Sequence, residues 1–212
     1  MTTKYDSIIF DMDGTLWDAV DSYCKIWDKT FEQMGYSQTV SREELLKCMG
    51  IPINEIFQQV VKVDVDSAAY LELLDKNEQE MMPVLGGKLY PGVAEGIKFL
   101  SPHYKLFMVS NCGADGLKNF LSFTKLEPYF CDTLTYGETL LSKSDNIKEI
   151  IKRHNLKKAI YVGDTQGDCN AAHNAGVDMI FAKYGFGECE DAEYTIESFP
   201  RLLDLLYKQL YV

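Results

Sequence analysis

Apolar positions along the chain fall into two rhythms. Ile8-Ile9-Phe10 is a short apolar run that reads as a buried strand, too brief for a helix. From about Trp17 to Leu85 the spacing becomes helical. Tyr23, Ile26, Trp27, Phe31 and Met34 recur at three- and four-residue intervals and make one apolar stripe. Ser41-Arg42-Glu43-Glu44 has the form of a capping box, in which a hydroxyl and a carboxylate satisfy amides that helix geometry leaves free. That box predicts a helix through Leu45, Leu46 and Met49, broken at Gly50-Ile51-Pro52. Ile56, Phe57, Val60 and Val61 predict another, and Asp66 caps a last one carrying Ala69, Leu73 and Leu74 towards Met81-Met82. About four helices are expected here, with their aromatic and methionine stripes serving as packing surface.

Gly86-Gly87 and Tyr90-Pro91-Gly92 end that pattern. Afterwards strands alternate with helices. Strands are predicted at Leu106-Phe107-Met108-Val109, Thr133-Leu134-Thr135, Ala159-Ile160-Tyr161-Val162, Met179-Ile180-Phe181 and, as an edge, Tyr194-Thr195-Ile196. Helices are predicted over 93–100, 115–122, 144–154, 169–175 and 202–210. Such alternation predicts an α/β fold, a doubly wound parallel sheet of Rossmann-like form. Residues 1–16 and 87–212 would form that core, with an all-α unit, residues 17–86, inserted after the first strand.

Composition narrows the partners. The net charge of -11 over 212 residues weighs against nucleic acid, whose phosphates need clustered Lys and Arg, and against an anionic membrane surface. An anionic substrate must therefore be drawn in by a local device. The start, Met1-Thr2-Thr3-Lys4-Tyr5-Asp6, does not read as a signal peptide, and no run approaches the roughly 20 apolar residues of a membrane span. Cys24, Cys48, Cys112, Cys131, Cys169 and Cys189 are scattered without a C-x-x-C pair, which reads as free thiols in a reducing cytoplasm. Cys112 and Cys169 lie near motifs and could be reactive, but buried inert thiols are the simpler reading.

Polar groups gather where the predicted strands end. Asp11 and Asp13 follow the first strand, with Gly14 and Thr15 next. Ser110-Asn111 follows the second long apolar run, Lys143 sits in a loop before a helix, and Gly163-Asp164 to Asp168 follows another strand. Each has a plain reading as a turn, a cap or a solvated charge. At the carboxyl edge of one parallel sheet, where ligands bind, they have a joint one. Two close carboxylates repel each other unless a cation or shared proton lies between them. Carboxylate oxygens suit Mg²⁺, lysine supplies a mobile positive charge, and serine and asparagine supply donors to a phosphoryl group in transfer. One carboxylate can be the nucleophile and the other the proton donor.

These residues carry a resemblance. Asp11-Met12-Asp13-Gly14-Thr15, Ser110-Asn111, Lys143 and Gly163-Asp164 to Asp168 match, in order, the four motifs of the haloacid dehalogenase superfamily, in its phosphoglycolate-phosphatase-like branch. The resemblance spans nearly the whole chain and implies that the helical insertion is a cap closing over the site. It implies that Asp11 attacks phosphorus, that Asp13 protonates the leaving oxygen and then activates water, and that Ser110 and Lys143 act in catalysis. Gly14, Thr15, Ser110, Asn111 and Lys143 would bind substrate, Gly14 by letting backbone amides approach the phosphate and Thr15 by orienting the aspartates. Mg²⁺ would be held by Asp11, the Asp13 carbonyl and Asp164, with Asp168 acting through water or by orienting Lys143. The family's usual prolines after the lysine are missing from Lys143-Ser144-Asp145-Asn146, which predicts a cap at Ser144 or Asp145 instead.

The expected activity is therefore Mg²⁺-dependent hydrolysis of a small phosphate monoester, in a monomer or weak homodimer. A phosphomutase of the β-phosphoglucomutase kind uses the same motifs and would need a bisphosphate activator. A dehalogenase would lack the second aspartate, and a phosphonate hydrolase would want a cap lysine, for which Lys25, Lys29, Lys47, Lys62 and Lys76 have no distinguishing context. A non-catalytic phosphate-binding regulatory module would have lost an acid, and a receiver domain would be shorter. Between Trp17 and Gly86 lie 13 acidic and 6 basic residues, which favours a small substrate over a large polyanion. Gly50-Ile51-Pro52 is where the family's cap reaches towards substrate, and a plain turn there serves as well. His103, His154 and His173 find no role and read as structural or surface residues.

Overall fold

The computed structural model describes residues 4–210, with side chains described to 206. β1 (Ser7–Phe10) leads through β2 (Trp17–Asp18) into four helices, α1 (Val20–Gln33), α2 (Arg42–Leu46), α3 (Ile53–Val60) and α4 (Ser67–Leu85). β3 (Lys88–Leu89) then pairs antiparallel with β2, so the chain leaves and re-enters the sheet region through one two-stranded neck. Next come α5 (Val93–Leu100), β4 (Lys105–Ser110), α6 (Gly116–Thr124), β5 (Asp132–Thr135) and α7 (Tyr136–Thr139). The remainder is α8 (Lys143–Arg153), β6 (Ala159–Gly163), α9 (Gln166–Ala175), β7 (Asp178–Ala182), β8 (Tyr194–Ile196) and α10 (Phe199–Leu210).

Six strands form one parallel sheet in the order β5-β4-β1-β6-β7-β8. Alternate residues of each central strand enter opposite cores. Ile8 and Phe10 join Leu106, Met108, Ile160 and Val162 on one face, whereas Ile9 joins Phe107, Val109 and Tyr161 on the other. Burial on both sides explains why these strands read as unbroken apolar runs. The order reverses direction at β1, and a crevice opens at such a point outside the carboxyl ends. Phe10 is level with both Met108 and Val162, which brings the residues after β1, β4 and β6 to one edge.

Within the inserted helices Tyr70 is the hub. Its ring packs on Trp27, Phe31 and Phe57 at centroid distances of 5.6, 4.8 and 5.4 Å. Buried Asn77 donates to Thr30 Oγ1 at 2.9 Å and to Gln33 Oε1 at 2.8 Å, pinning α4 to α1 through satisfied polar groups. Ser41 and Glu44 form the expected capping box, and Asp66 caps α4. The helix after Ser41 is shorter than its pattern predicts. It ends at Leu46, and Gly50 turns the chain with a φ of 89° before Pro52 opens α3. Edge strand β8 lies where predicted. No helix among the described residues is long and apolar enough to cross a membrane.

Candidate active site

β1 delivers Asp11 to the sheet edge, where its amide donates to the Val162 carbonyl at 2.9 Å. Lys143 Nζ meets Asp11 Oδ1 at 3.1 Å and Asp168 Oδ1 at 2.6 Å, and all three side chains are almost completely buried. Lys143 is the first residue of α8 rather than part of a preceding loop. Ser142 is the N-cap, accepting from the Asp145 amide at 3.2 Å, so neither Ser144 nor Asp145 caps this helix. The first turn of a helix is anchored, and the Lys143 ammonium is aimed by that anchor.

Asp168 does two jobs. Its Oδ2 accepts from the amides of Asp164 and Thr165 at 3.1 and 3.0 Å and from Thr165 Oγ1 at 2.7 Å, completing a capping box at the start of α9. Its other oxygen holds Lys143. Asp168 is therefore a positioning carboxylate.

Asp164 is fully buried and meets only neutral donors, Thr15 Oγ1 at 3.1 Å and the Phe186 amide at 2.8 Å. Among the aspartates, it is Asp164 that Thr15 orients. The Gly14 amide itself donates to the Trp17 carbonyl at 2.9 Å. What demands glycine is geometry: φ is 78°, and a Cβ would lie 2.1 Å from Asp164 Oδ2.

Asp11, Asp164 and Asp168 place one carboxylate oxygen each within 4.8 Å of one another. One lysine cannot balance three buried carboxylates. Burial and the neighbouring aspartates push Asp164 well above the usual carboxylate range. Asp11 rises to about 6 because burial and Asp168 outweigh the opposing pull of Lys143. Burial alone would discharge the ammonium, but Asp11 and Asp168 hold Lys143 well above its ordinary value. A hard dication bound by oxygen fits this charge deficit. The Asp13 carboxylate stands outside the group, so a metal role for Asp13 rests on its backbone carbonyl.

Asp13 turns its carboxylate the other way. Trp17 Nε1 donates to Oδ1 at 2.9 Å and the Tyr23 hydroxyl to Oδ2 at 3.3 Å. Burial and the charge of Asp11 raise its pKa to about 8, so at neutral pH this group carries a proton. Sequence reasoning missed Trp17, read only as the start of the helical unit, and Tyr23, read as helix-stripe packing. It also missed the Phe186 amide, because a backbone donor leaves no mark in a residue pattern.

A cleft joins these groups to the inserted helices. Asp11, Asp13, Ser110, Asn111 and Lys143 line its floor, whereas Gly14, Thr15, Asp164 and Asp168 are not among its lining residues. Ser110 is buried at the end of β4, its Oγ near the Cys112 amide at 3.4 Å. Asn111 Nδ2 donates to the Gly50 carbonyl at 2.8 Å, so the Gly50-Ile51-Pro52 turn does reach the site. The upper walls are apolar, including Met49, Ile53, Leu71 and Leu74. Glu78 joins them, its Oε2 3.8 Å from where a Cβ on Gly113 would lie, and burial together with Asp75 raises its pKa to about 7. Cys112 also lines the cleft, and burial with the charge of Asp13 holds its thiol protonated, which leaves it no nucleophile.

Known proteins agree with this arrangement. The model of the haloacid dehalogenase-like hydrolase family matches residues 8–182. A phosphoglycolate phosphatase of Aquifex aeolicus is 29% identical over 185 residues, covering 84% of this chain and 85% of its own. The pyrophosphatase PpaX of Listeria monocytogenes is 29% identical over 182 residues, covering 82% of each. In fold, the structure of a predicted phosphoglycolate phosphatase from Haemophilus somnus superposes with a TM-score of 0.85 at 19% identity, over 97% of this chain and 99% of that one. With the matched segment running from β1 to the end of β7 and the four motifs meeting at one sheet edge, the chain belongs to the haloacid dehalogenase-like hydrolases and is an enzyme of their phosphatase kind.

Proposed function

We propose that this enzyme hydrolyses a small phosphate monoester through an aspartyl-phosphate on Asp11, with Mg²⁺ bound, beneath a cap formed by α1–α4. The observation that carries the reading is the opposed surroundings of two neighbouring aspartates. Asp11 is paired to Lys143, whereas the Asp13 carboxylate meets the neutral donors Trp17 Nε1 and the Tyr23 hydroxyl at the cleft wall. Environments that push two carboxylates apart assign the nucleophile and the acid.

Asp11 Oδ attacks phosphorus as the ester P–O bond breaks, and the Asp13 proton passes to the leaving oxygen. Asp13, now ionised, takes a proton from water as that water attacks the acyl phosphate. Phosphate leaves and both aspartates return to their starting states. Lys143 and Ser110 face the equatorial oxygens from the cleft floor, and Asp168 keeps the ammonium aimed. Asp11, Asp164 and the Asp13 carbonyl would hold Mg²⁺, which supplies positive charge against the phosphoryl oxygens.

Cleft charge bears on the organic part of the ester. Lys143 is the lone basic residue among those lining the cleft, and it already serves Asp11 and Asp168. The upper wall offers apolar side chains and the carboxylates of Asp75 and Glu78. An uncharged or amine-bearing leaving group fits this wall, and one carrying a second anion finds no partner there.

Phosphate release from a panel of small monoesters with Mg²⁺ tests the proposal. Activity without a bisphosphate activator, lost in Asp11→Asn and in chelator, is the expected result. Full activity in Asp11→Asn would remove the assigned nucleophile, and turnover dependent on a bisphosphate with little free phosphate would make the enzyme a mutase.

A further inference from the structure

We propose that Cys169, His173, Cys189 and Asp191 form a second metal site, suited to a soft divalent ion such as Zn²⁺, between α9 and the loop 183–193. Cys169 and His173 lie four residues apart on α9, so they share one helix face. Cys189 and Asp191 arrive on the loop from the other side. Cys169 Sγ is 3.8 Å from His173 Nδ1 and 3.4 Å from Asp191 Oδ1, and His173 Nδ1 is 4.0 Å from Asp191 Oδ2. One donor atom from each of Cys169, Cys189 and Asp191 lies within 4.8 Å of the other two. Zinc bonds of about 2.3 Å to sulfur and about 2.0 Å to nitrogen or oxygen put tetrahedral donors roughly 3.3–3.8 Å apart. Cys169, Cys189 and Asp191 are close to that spacing, and a turn of the His173 ring would bring Nδ1 into it.

The neighbours of His173 make an independent case. His173 Nε2 pairs with Glu193 Oε1 at 3.0 Å, and Glu193 Oε2 is itself fixed by the Met179 amide at 2.7 Å. A carboxylate on one ring nitrogen sets the tautomer and leaves the other lone pair for a metal. Here the other nitrogen is Nδ1, 4.0 Å from Asp191 Oδ2, and a turn of the ring would aim its lone pair at Cys169, whose Sγ now lies 3.8 and 3.9 Å from the two ring nitrogens. An ordinary surface ion pair would account for His173 and Glu193. It would not account for two thiols and a further carboxylate gathered beside that ring.

Donor type separates this site from the active site. Thiolate and imidazole select zinc-like ions, whereas the Asp11, Asp164 and Asp168 group offers only oxygen. Four protein donors would close the coordination shell, which marks a structural ion and not a catalytic one. Binding would release the two thiol protons to solvent. The consequence reaches the catalytic groups through the backbone. Cys169 follows Asp168, and the same loop carries the Phe186 amide that donates to Asp164 at 2.8 Å. Gln166, at the start of α9, already bonds Asp191 Oδ1 at 2.8 Å and the Glu190 amide at 3.1 Å. An ion here would staple the loop that steadies Asp164 to the helix that carries Asp168.

The test uses reduced, chelator-stripped full-length enzyme titrated with Co²⁺ in excess Mg²⁺, which occupies the oxygen site. One equivalent of Co²⁺ should bind with sulfur-to-cobalt charge-transfer absorption in the near ultraviolet, and Zn²⁺ should abolish that signal. Asp11→Asn should keep it, and the half-exposed Cys189→Ser should lose it while retaining the wild-type circular dichroism. Glu193→Gln should weaken Zn²⁺ binding about 10- to 100-fold. Reduced enzyme that shows no sulfur–cobalt absorption overturns the site, whether or not Cys169 and Cys189 then join as a disulfide in air. Equal absorption in Cys189→Ser overturns it too. Neither readout depends on phosphatase activity.

Discussion

The indole N–H of Trp17 donates to Oδ1 of Asp13 at 2.9 Å, so the neck between sheet and inserted helices directly holds the acid of the proposed reaction. That bond favours the carboxylate, but burial favours the acid and prevails, leaving the pKa near about 8. The rate on an alkyl phosphate is therefore expected to fall as pH rises through the Asp13 pKa, since the proton to be donated is lost. Trp17→Phe removes a donor to the ionised form, so it should move this limb to higher pH while costing ~1–3 kcal/mol of stability. A dication beside Asp11 lowers the limb without changing the direction of that shift. A pH–rate profile of both proteins checks it, and coincident limbs would detach Trp17 from Asp13.

Stability in chelator should carry the same signature. A carboxyl whose folded pKa is about 8 against an ordinary 3.8 binds its proton more tightly in the folded state. Its stabilising contribution is complete below about pH 4 and is lost as pH rises through 8. Urea midpoints between pH 5 and 9 should fall in the wild type, and Asp13→Asn should flatten the fall.

Lys143 is the charge on which two buried carboxylates depend. Lys143→Met should lower turnover by at least about 10²–10³-fold, the usual loss for one donor aimed at a developing charge. It should also cost about 3–5 kcal/mol at neutral pH by leaving Asp11 and Asp168 without a counter-charge. Lys143→Arg should not rescue turnover, because a planar fork does not replace a point charge between two oxygens in a closed space. Steady-state kinetics and urea unfolding measure the two effects separately.

Glu78 reports on the leaving group. For amine-bearing monoesters Glu78→Gln should raise KM several-fold and leave kcat nearly unchanged, while a neutral ester is unaffected. Phosphoglycolate, with its extra carboxylate, should be a poorer substrate than either and should improve in the variant. A uniform change across all three esters would mean that Glu78 does not face the leaving group.

Much of this was legible in the sequence because it depended on local physics. Buried parallel strands must be apolar on both faces, so β1, β4, β6 and β7 announce themselves, and the acids that follow them fall at one edge. Ser41 and Asp66 sit where caps are needed, and the capping side chains are short enough to act within their own turn. The cap of α8 lies two or three residues before the expected Ser144 or Asp145, because Ser142, Ser144 and Asp145 are all competent caps and only packing of the lysine chooses among them.

The sequence by itself determined which chemistry was possible: which strands exist, which carboxylates follow them, and that a lysine and two small polar residues accompany them. Tertiary structure decided how those groups are used. Thr15 meets Asp164 across 149 positions of chain, and Lys143 meets Asp11 across 132. Gly14 is required by a carboxylate far along the chain, and Cys169 and His173 meet Cys189 and Asp191 only where the β7–β8 loop folds back on α9. The reason is the range of the forces. Helix and strand signals come from neighbours within a turn or two. The protonation of Asp13, the aim of Lys143 and the convergence of two thiols depend on distances that only the closed core sets.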